Sequence, residues 1–363
     1  MTLPQTADQP AAASLERLKS QVLDPGWCVA CGACVGLCPY LILHDGQVAA
    51  PDACGLEAGR CLDICPQAPE PDPDQKRAQL LAGLGRPRVE PLGPVASAWW
   101  GRATAPDLAG RVQYGGVVST LMALALQEGI IGEAVLTQAG LRGGPEGVRV
   151  RERAEVLAAA GSIYAAGGSL AALNQALAEP AEPAQPALGL VGLPCQAYAA
   201  ASMAAHPRYP QAGRIKLIVG LFCTLNLAAR GLRGVLEAAD VQGPVTRADF
   251  PPPPAGVLEV TTRRGTTAIP LDRIRPVVLK GCSLCPDLTA ELADLSVGAA
   301  EGRPGWNTIL VRSDQGAELL EMARARGLLE MEPMPSESYE HLCTAAANKR
   351  SRARAAWKER ANG

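Results

Sequence analysis

The stretch CVACGACVGLCP, which spans Cys28–Pro39, has the C-x2-C-x2-C-x3-C-P spacing with which proteins hold [4Fe-4S] clusters. Three thiolates spaced two residues apart can surround one cluster, and the fourth, Cys38, points away toward a second one. Gly32 lets the backbone pass close to the inorganic sulfides because it has no Cβ. Zinc is the rival, but zinc sites usually take two C-x2-C pairs set well apart. The spacing therefore predicts iron–sulfur chemistry.

A second cysteine motif follows, but it departs from this pattern. Its spacing over 54–66 is C-x6-C-x3-C-P, so one middle cysteine is missing. If the two motifs share their clusters crosswise, one cluster is bound by Cys28, Cys31, Cys34 and Cys65, and the other receives only Cys38, Cys54 and Cys61. The second cluster could then be [3Fe-4S], take a carboxylate such as Asp52 or Glu57 as its fourth ligand, or be absent.

Both motifs lie in a small N-terminal unit. Residues 1–13 are expected to be a disordered tail, and 14–23 carry apolar residues at helical spacing. Between the motifs, 40–49 predicts two short strands around an Asp-Gly turn. We therefore expect a tail and helix over 1–24 and a ferredoxin-like domain over 25–70.

Composition restricts the class of protein. The chain has 363 residues and is 48% hydrophobic, which is enough for a sizeable core in two or three domains. Its 12 cysteines, in a chain without the features of a signal peptide, favour metal or redox chemistry over disulfides. A formal net charge of −2 argues against nucleic acid as a partner. No apolar run approaches the roughly 18 residues of a membrane span, so we expect no membrane span and a cytoplasmic protein.

Two further segments stand out by composition. The Pro-rich stretch 71–95 predicts a linker to a larger body or, equally, an ordered arm that wraps that body. Residues 336–363 form a basic tail. A helix there is expected to be a solvated end, and docking to an acidic partner is the alternative.

The body, 96–335, is predicted to be an α/β layer. Gly115 and Gly116 precede a helix over 118–127. Free N–H groups at such a helix N-terminus can form a phosphate site, and the alternative is that the Gly-Gly pair is only a tight turn. Apolar strands alternate with helices, which places the site along the carboxyl ends of the strands. The predicted strands are 130–137, 187–192 and 215–222.

Four cysteines of the body are candidates for a further [4Fe-4S] cluster. Cys195 and Cys223 each follow an apolar strand, and Cys282 and Cys285 form a C-x2-C pair. For Cys223 the alternative is a small buried side chain that only fills the core. After the pair we predict a helix with an acidic face. The residues of that face are Asp287, Glu291 and Asp294.

Together, the head and the motifs of the body resemble the beta-subunit family of coenzyme F420 hydrogenase and formate dehydrogenase, over roughly residues 25 to 315. The fold that this resemblance implies is α+β, with a small ferredoxin-like N-terminal domain joined to a larger α/β body that binds FAD. The motifs of the body are GGVVS from Gly115, GLPCQ from Gly192, GLFC from Gly220, C-x2-C-x-D-x6-D-L-S-V-G from Cys282, and GWNTILVR from Gly305.

The resemblance also implies site residues. Those that would bind the flavin cofactor are Gly115, Gly116, Ser119, Thr120, Asp287 and Asp294. Cys195 and Gln196 would lie beside the flavin as catalytic residues. The body cluster would be ligated by Cys282 and Cys285, with Cys195 and Cys223 completing the set of thiols.

The implied function is electron transfer between a hydride carrier at FAD and one-electron carriers, through two or three [4Fe-4S] clusters. The hydride carrier would be a small molecule such as coenzyme F420, and the protein partner a ferredoxin or a subunit of a larger reductase or hydrogenase. Two alternatives stay open: a non-catalytic ferredoxin-like relay without flavin, and a zinc-binding scaffold. The three histidines, His44, His206 and His341, are scattered and receive no role.

Overall fold

The computed structural model describes residues 14–37, 39–56, 59–69, 72–139, 144–179, 186–251 and 254–362. The α-helices are α1 (Ser14–Leu18), α2 (Arg60–Asp63), α3 (Pro73–Gly83), α4 (Val117–Gln127), α5 (Arg153–Ala158), α6 (Leu170–Ala178), α7 (Pro194–Ala205), α8 (Ala229–Ala238), α9 (Leu271–Ile274), α10 (Asp314–Ala325) and α11 (Ser336–Asn362). The strands are β1 (Ile42–His44), β2 (Gln47–Ala49), β3 (Ser97–Ala103), β4 (Glu133–Ala139), β5 (Pro145–Val150), β6 (Leu188–Gly192), β7 (Ile215–Leu221), β8 (Val245–Asp249), β9 (Val257–Thr262), β10 (Gly265–Pro270), β11 (Leu295–Ala299), β12 (Asn307–Val311) and β13 (Leu329–Pro333).

A mixed sheet of eight strands, in the order β13-β3-β12-β11-β7-β6-β4-β5, forms the centre of the body. Strands β11, β7, β6 and β4 run parallel, with Leu190 opposite Ile218 and Leu295 opposite Val219, and the remaining pairs are antiparallel. The parallel strands are nearly continuous apolar runs because both of their faces are covered. Helices α4 and α10 pack on one face, and α6 and α7 pack on the other. The mixed α/β fold is thus confirmed, and four carboxyl strand ends meet along one edge.

A smaller antiparallel sheet, in the order β10-β9-β8, packs with α8 and α9 around Leu227, Leu258 and Ile269. It is tied to the segment before α4 by polar contacts. The Tyr114 hydroxyl donates to Asp249 Oδ1 at 2.5 Å. This sheet therefore lies beside the carboxyl edge of the large sheet.

The N-terminal head contains the predicted hairpin, in which β1 and β2 flank an Asp-Gly turn with positive φ angles. Helix α1 continues as a π-helical turn, Lys19–Leu23, and packs on the head through Leu15, Leu18 and Val22. The disordered tail predicted for 1–13 lies outside the described residues.

The head docks on the start of α6 by direct backbone contacts. Gly168 N–H donates to the Ala30 carbonyl at 2.9 Å, and Leu170 N–H donates to the Cys31 carbonyl at 3.1 Å. Asn174 Nδ2 donates to two further carbonyls of the same loop. A Cβ on Gly32 would lie 2.2 Å from the Gly168 carbonyl oxygen. A glycine is thus needed at position 32 because the loop meets the body there. The sequence analysis had instead attributed this glycine to the close approach of the backbone to the inorganic sulfides of a cluster.

The segment predicted as a linker or an arm is an ordered arm over its described part, 72–95. The Asp72 side chain caps α3 by accepting the Gln75 N–H at 3.0 Å, and Pro73 stands at the first helical position. Leu80 and Leu81 of α3 pack against Tyr198 of α7. The arm is therefore fixed to the body.

The expectation that the basic tail is a solvated end is wrong. Helix α11 has 27 residues, and Lys349, Arg350 and Ala353 on it are buried. Trp357 Nε1 donates to the Leu284 carbonyl at 2.8 Å, and Arg360 donates to carbonyls of the head. The cations of this helix find carbonyl and carboxylate acceptors inside the protein, which composition alone does not reveal. Among the described residues, no helix combines the length and apolar composition that crossing a bilayer requires.

The docking contact gives a prediction for Gly32→Ala. Gly32 has φ of +85°, and the added Cβ would collide with backbone atoms of Gly168. We expect a loss of about 3 kcal/mol or more in stability, because strain and steric overlap add. The measurement is thermal or urea unfolding of the iron-loaded protein.

The matched control is Gly26→Ala. Gly26 has φ of +76°, but nothing lies within 4 Å of its Cβ position. We expect only the backbone penalty of about 1 kcal/mol there. Equal effects of the two substitutions would contradict the docking role of Gly32.

Candidate cofactor site

Four cysteines of the head lie together around a small cavity. Cys28, Cys31 and Cys34 come from the first motif, and Cys65 follows α2. Burial, with a smaller contribution from the neighbouring Cys28, raises the pKa of the Cys31 thiol to about 12. The pKa of Cys34 is raised by burial and then by Cys31, Cys28 and Cys65. Four mutually close thiols are the donor set of a [4Fe-4S] cluster, whose binding would remove their protons.

The second cluster of the head stays a prediction. Cys38 and Glu57 lie outside the described residues. Cys61 is buried and lines the same small cavity as the first four thiols. Cys54 packs in the hydrophobic cluster of the head, and Asp52 is exposed.

The four body cysteines converge from three separate places in the fold. Cys195 stands in the first turn of α7, directly after β6, and Cys223 follows β7. Cys282 and Cys285 come from a 3-10 turn, Lys280–Leu284, and its end. Burial raises the pKa of Cys195 well above its usual value, and Cys31, Cys285, Cys223 and Cys282 raise it further. The two groups of thiols are therefore neighbours. Among these thiols, Cys31 of the head has the largest effect on the pKa of Cys195.

These thiols also receive or make hydrogen bonds. Asn226 N–H donates to Cys282 Sγ at 3.3 Å, and Ala30 N–H donates to Cys28 Sγ at 3.3 Å. Such N–H donors stabilise a thiolate when a metal is bound. In the described part of the chain, no three His, Cys, Asp or Glu side chains are gathered closely enough to hold a single metal ion.

A cavity of about 1510 Å³ opens beside the body cysteines. Typical sites for drug-sized ligands measure about 300–1,000 Å³, so this one has room for a larger cofactor. Its wall includes Ser119 of α4, the Cys195–Gln196 turn, Cys223, and Cys31 of the head. It lies at the carboxyl edge of the large sheet, where the sequence predicted the site.

The N-terminus of α4 faces this cavity with Gly116 and Ser119. Gly116 has φ of +73° and no side chain caps the helix, although Val117 N–H donates to Asn307 Oδ1 at 3.3 Å. The remaining N–H groups and the helix dipole favour an anion. Gly115 and Thr120, which were also predicted to bind the cofactor, do not line the cavity. The Thr120 hydroxyl donates to the Gly116 carbonyl at 3.0 Å.

Several polar groups on the wall were not singled out from the sequence. Tyr114 and Asp249 form the hydrogen bond already described, and burial raises the pKa of Tyr114, followed by its bond to Asp249. The Arg303 guanidinium stacks on the Trp306 ring at 3.6 Å from its centroid. Tyr114 directly precedes the Gly-Gly turn, which is the one sequence signal that could have found it. Gln196, which was predicted, uses its side-chain oxygen to accept the Leu193 N–H at 2.7 Å.

Asp287 and Asp294 do not line the cavity, and the helix predicted to carry them is absent from the described structure of 286–294. Asp287 is 1% exposed, forms an ion pair with Arg77 at 3.1 Å, and accepts the N–H groups of Thr289 and Glu291. Ala290 has φ of +59°, so the helix cannot continue. Burial raises the pKa of Asp287, but Arg77 and Arg312 outweigh it, and the pKa lies below its usual range.

Asp294 has an equally internal role. It forms an ion pair with Arg86 at 2.8 Å, and it accepts the Ile218 N–H at 2.8 Å and the Ser313 hydroxyl at 2.7 Å. The interpretation of Asp287 and Asp294 as cofactor-binding residues is therefore replaced by a structural one. Both carboxylates tie loops and the arm to the sheet.

The buried ion pair predicts the effect of Asp287→Asn. The substitution keeps the size of the side chain but removes the carboxylate that pairs with the buried Arg77, so we expect a loss of about 3–5 kcal/mol in urea unfolding. The control is Asp107→Asn, whose ion pair with Arg153 is solvent-exposed and should matter little. A small effect of both substitutions would contradict the structural role.

Comparison with known proteins matches three families to this chain. Two of them describe the beta subunit of coenzyme F420 hydrogenase/dehydrogenase. The family for the N-terminal part of that protein matches residues 98–174, and the family for its C terminus matches residues 186–337. A 4Fe-4S binding domain matches residues 22–44.

Individual relatives agree with these matches. The coenzyme F420 hydrogenase subunit beta of Methanothermobacter thermautotrophicus is 31% identical over 239 residues, which is 64% of this chain and 83% of the relative. The protein of that name from Methanosarcina barkeri is 29% identical over 251 residues, covering 67% of this chain and 84% of the relative.

A solved structure is similar as well. It is a chain in the F420-reducing [NiFe] hydrogenase complex from Methanosarcina barkeri, with a TM-score of 0.69 and 26% identity over 75% of this chain and 94% of that one. The chain therefore belongs to the coenzyme F420 hydrogenase/dehydrogenase beta-subunit family of iron–sulfur oxidoreductase subunits.

Proposed function

We propose that the protein transfers electrons between a small-molecule hydride carrier at FAD and one-electron carriers through [4Fe-4S] clusters. The observation that carries this proposal is the composition of one cavity wall. An anion-binding helix end, with Gly116 and Ser119, shares that wall with Cys195 and Cys223. A cofactor in the cavity would thus lie directly beside a group of four thiols.

The residues of the cavity fit FAD. The α4 N-terminus offers N–H donors to its phosphates, and Cys195 and Gln196 stand at the strand edge for its ring. Bound FAD supplies the exchange between a two-electron hydride and single electrons. The protein's own part is to orient the ring, exclude water with the walls of the cavity, and hold a proton on the Tyr114 hydroxyl, which donates to Asp249.

The two groups of thiols fit a relay. Cys195, Cys223, Cys282 and Cys285 would hold the cluster next to the flavin. The second group, in the head, would hold the next cluster. Cys31 belongs to this second group and also lines the flavin cavity. Electrons would pass from the cavity to the head, where the partner protein would receive them.

The choice of hydride carrier is supported by the names of the relatives, which use coenzyme F420. The cavity exceeds the size of an ordinary ligand site, which leaves room for a carrier beside the flavin. Since the relatives are subunits of a hydrogenase, we propose a reductase or hydrogenase subunit, or a ferredoxin, as the protein partner.

The test is an anaerobic purification with iron, sulfide and flavin assays on one sample. We expect one FAD and about eight irons per chain from the two thiol groups, and about twelve if the second head cluster forms. Cys223→Ala should remove about four irons, whereas Cys343→Ala, which changes a cysteine of α11 outside both groups, should remove none. Iron without flavin, even after reconstitution with FAD, would overturn the proposal in favour of a relay.

The flavin site makes a separate prediction for Ser119→Asp. A carboxylate in the first turn of α4 suits the helix dipole, so the fold should be preserved. The same charge would repel the FAD phosphates, and we expect at least tenfold weaker FAD retention.

Ser119→Asn is the uncharged control of the same size, and it should retain FAD nearly as the wild type does. Equal retention by the two variants would show that no phosphate lies at this helix end. The measurement is the flavin content after dialysis against graded FAD concentrations.

A further inference from the structure

A buried lysine ends beside the body cysteines without a carboxylate partner. Lys349 of α11 is 5% exposed, and its Nζ donates to the Cys223 carbonyl at 2.5 Å and the Asp287 carbonyl at 2.8 Å. Both acceptors are neutral, and no carboxylate of the described residues lies within ion-pair distance of Nζ. An ammonium group in the interior is costly unless a negative charge is near.

The charges around Lys349 do not balance. Four buried cations, Arg77, Arg312, Lys349 and Arg350, face two buried carboxylates, Asp287 and Glu291, which leaves two positive charges in excess. Arg77 pairs with Asp287, and Arg350 pairs with Glu291.

Arg312 and Lys349 are the two cations left over. Arg312 donates to the carbonyls of Leu92 and Pro94 and to the hydroxyls of Ser296 and Thr289, all of them neutral. The buried side chains around Lys349 therefore carry more positive than negative charge.

We propose that Lys349 is the counter-charge of a [4Fe-4S] cluster held by Cys195, Cys223, Cys282 and Cys285, and that it raises the reduction potential of this cluster. This inference rests on the body cluster of the proposed function. An oxidised [4Fe-4S] core of charge about 2+ with four thiolates carries about two negative charges in all. That charge matches the excess, and reduction adds one electron and no proton. The cation therefore stabilises the reduced form more than the oxidised form.

The helix that supplies this charge lies outside the family match. The family for the C terminus of the beta subunit matches residues up to 337, and α11 begins at Ser336. Membership of the family therefore does not predict Lys349. The C-terminal helix would tune the cluster as well as cover it.

The experiment measures the midpoint potential of the body cluster by a redox titration followed by electron paramagnetic resonance. Lys349→Gln keeps N–H donors for both carbonyls and removes the charge, and Lys349→Arg keeps the charge. At a fixed applied potential, we expect Lys349→Gln to lower the ratio of reduced to oxidised cluster at least tenfold, which is about 59 mV for one electron. Lys349→Arg should stay near the wild type.

Lys358→Gln, which removes an exposed cation from the same helix, is the control and should leave the potential unchanged. An unchanged midpoint in Lys349→Gln, with full iron content, would overturn the inference. Absence of iron from the body cysteines of the wild type would instead overturn the proposed function.

If Lys349→Gln loads little iron, thermal unfolding with and without iron decides. We expect the substitution to destabilise the iron-loaded protein more than the iron-free protein, because only the loaded protein has the negative charge that Lys349 balances. Equal destabilisation of both forms would indicate a merely structural contact and overturn the inference.

Discussion

The backbone contact between the first cysteine loop and the start of α6 is the constraint on which the rest of the structure depends. It is made by the Gly168 and Leu170 N–H groups and by the absence of a side chain at Gly32. Side chains could shift, but here two backbones lie so close that a Cβ on Gly32 would meet the Gly168 carbonyl oxygen at 2.2 Å. This contact sets Cys31 beside Cys195, so that thiols from two domains become neighbours.

Buried ion pairs hold two further segments, the arm and α11, against the body. Asp287 draws the arm to the body through Arg77, and Glu291 draws α11 to it through Arg350. A buried charge without its partner would strongly destabilise the fold, so each ion pair holds its two segments together. The loop after the C-x2-C pair is thereby kept rigid directly behind the cysteines.

The sequence correctly predicted those features that a local pattern of residues determines. Cysteine spacing identified the 4Fe-4S binding domain, and unbroken apolar runs identified β6 and β7. It failed where distant segments decide. Asp287 and Asp294 had helical spacing, yet a side-chain cap and the backbone at Ala290 end any helix there. The basic tail was misjudged because composition counts charges without revealing their acceptors. The four body cysteines were named as candidates from the sequence, but their convergence from three segments has no local signature and only the structure shows it.

Helix α11 follows every proposed cluster ligand in the chain, and this order has a consequence for maturation. All cysteine-bearing loops of both groups are synthesised before the helix that covers them through Lys349, Trp357 and Arg360. A chain that stopped before Ser336 would thus hold every proposed cluster ligand but would lack the contacts that cover these loops.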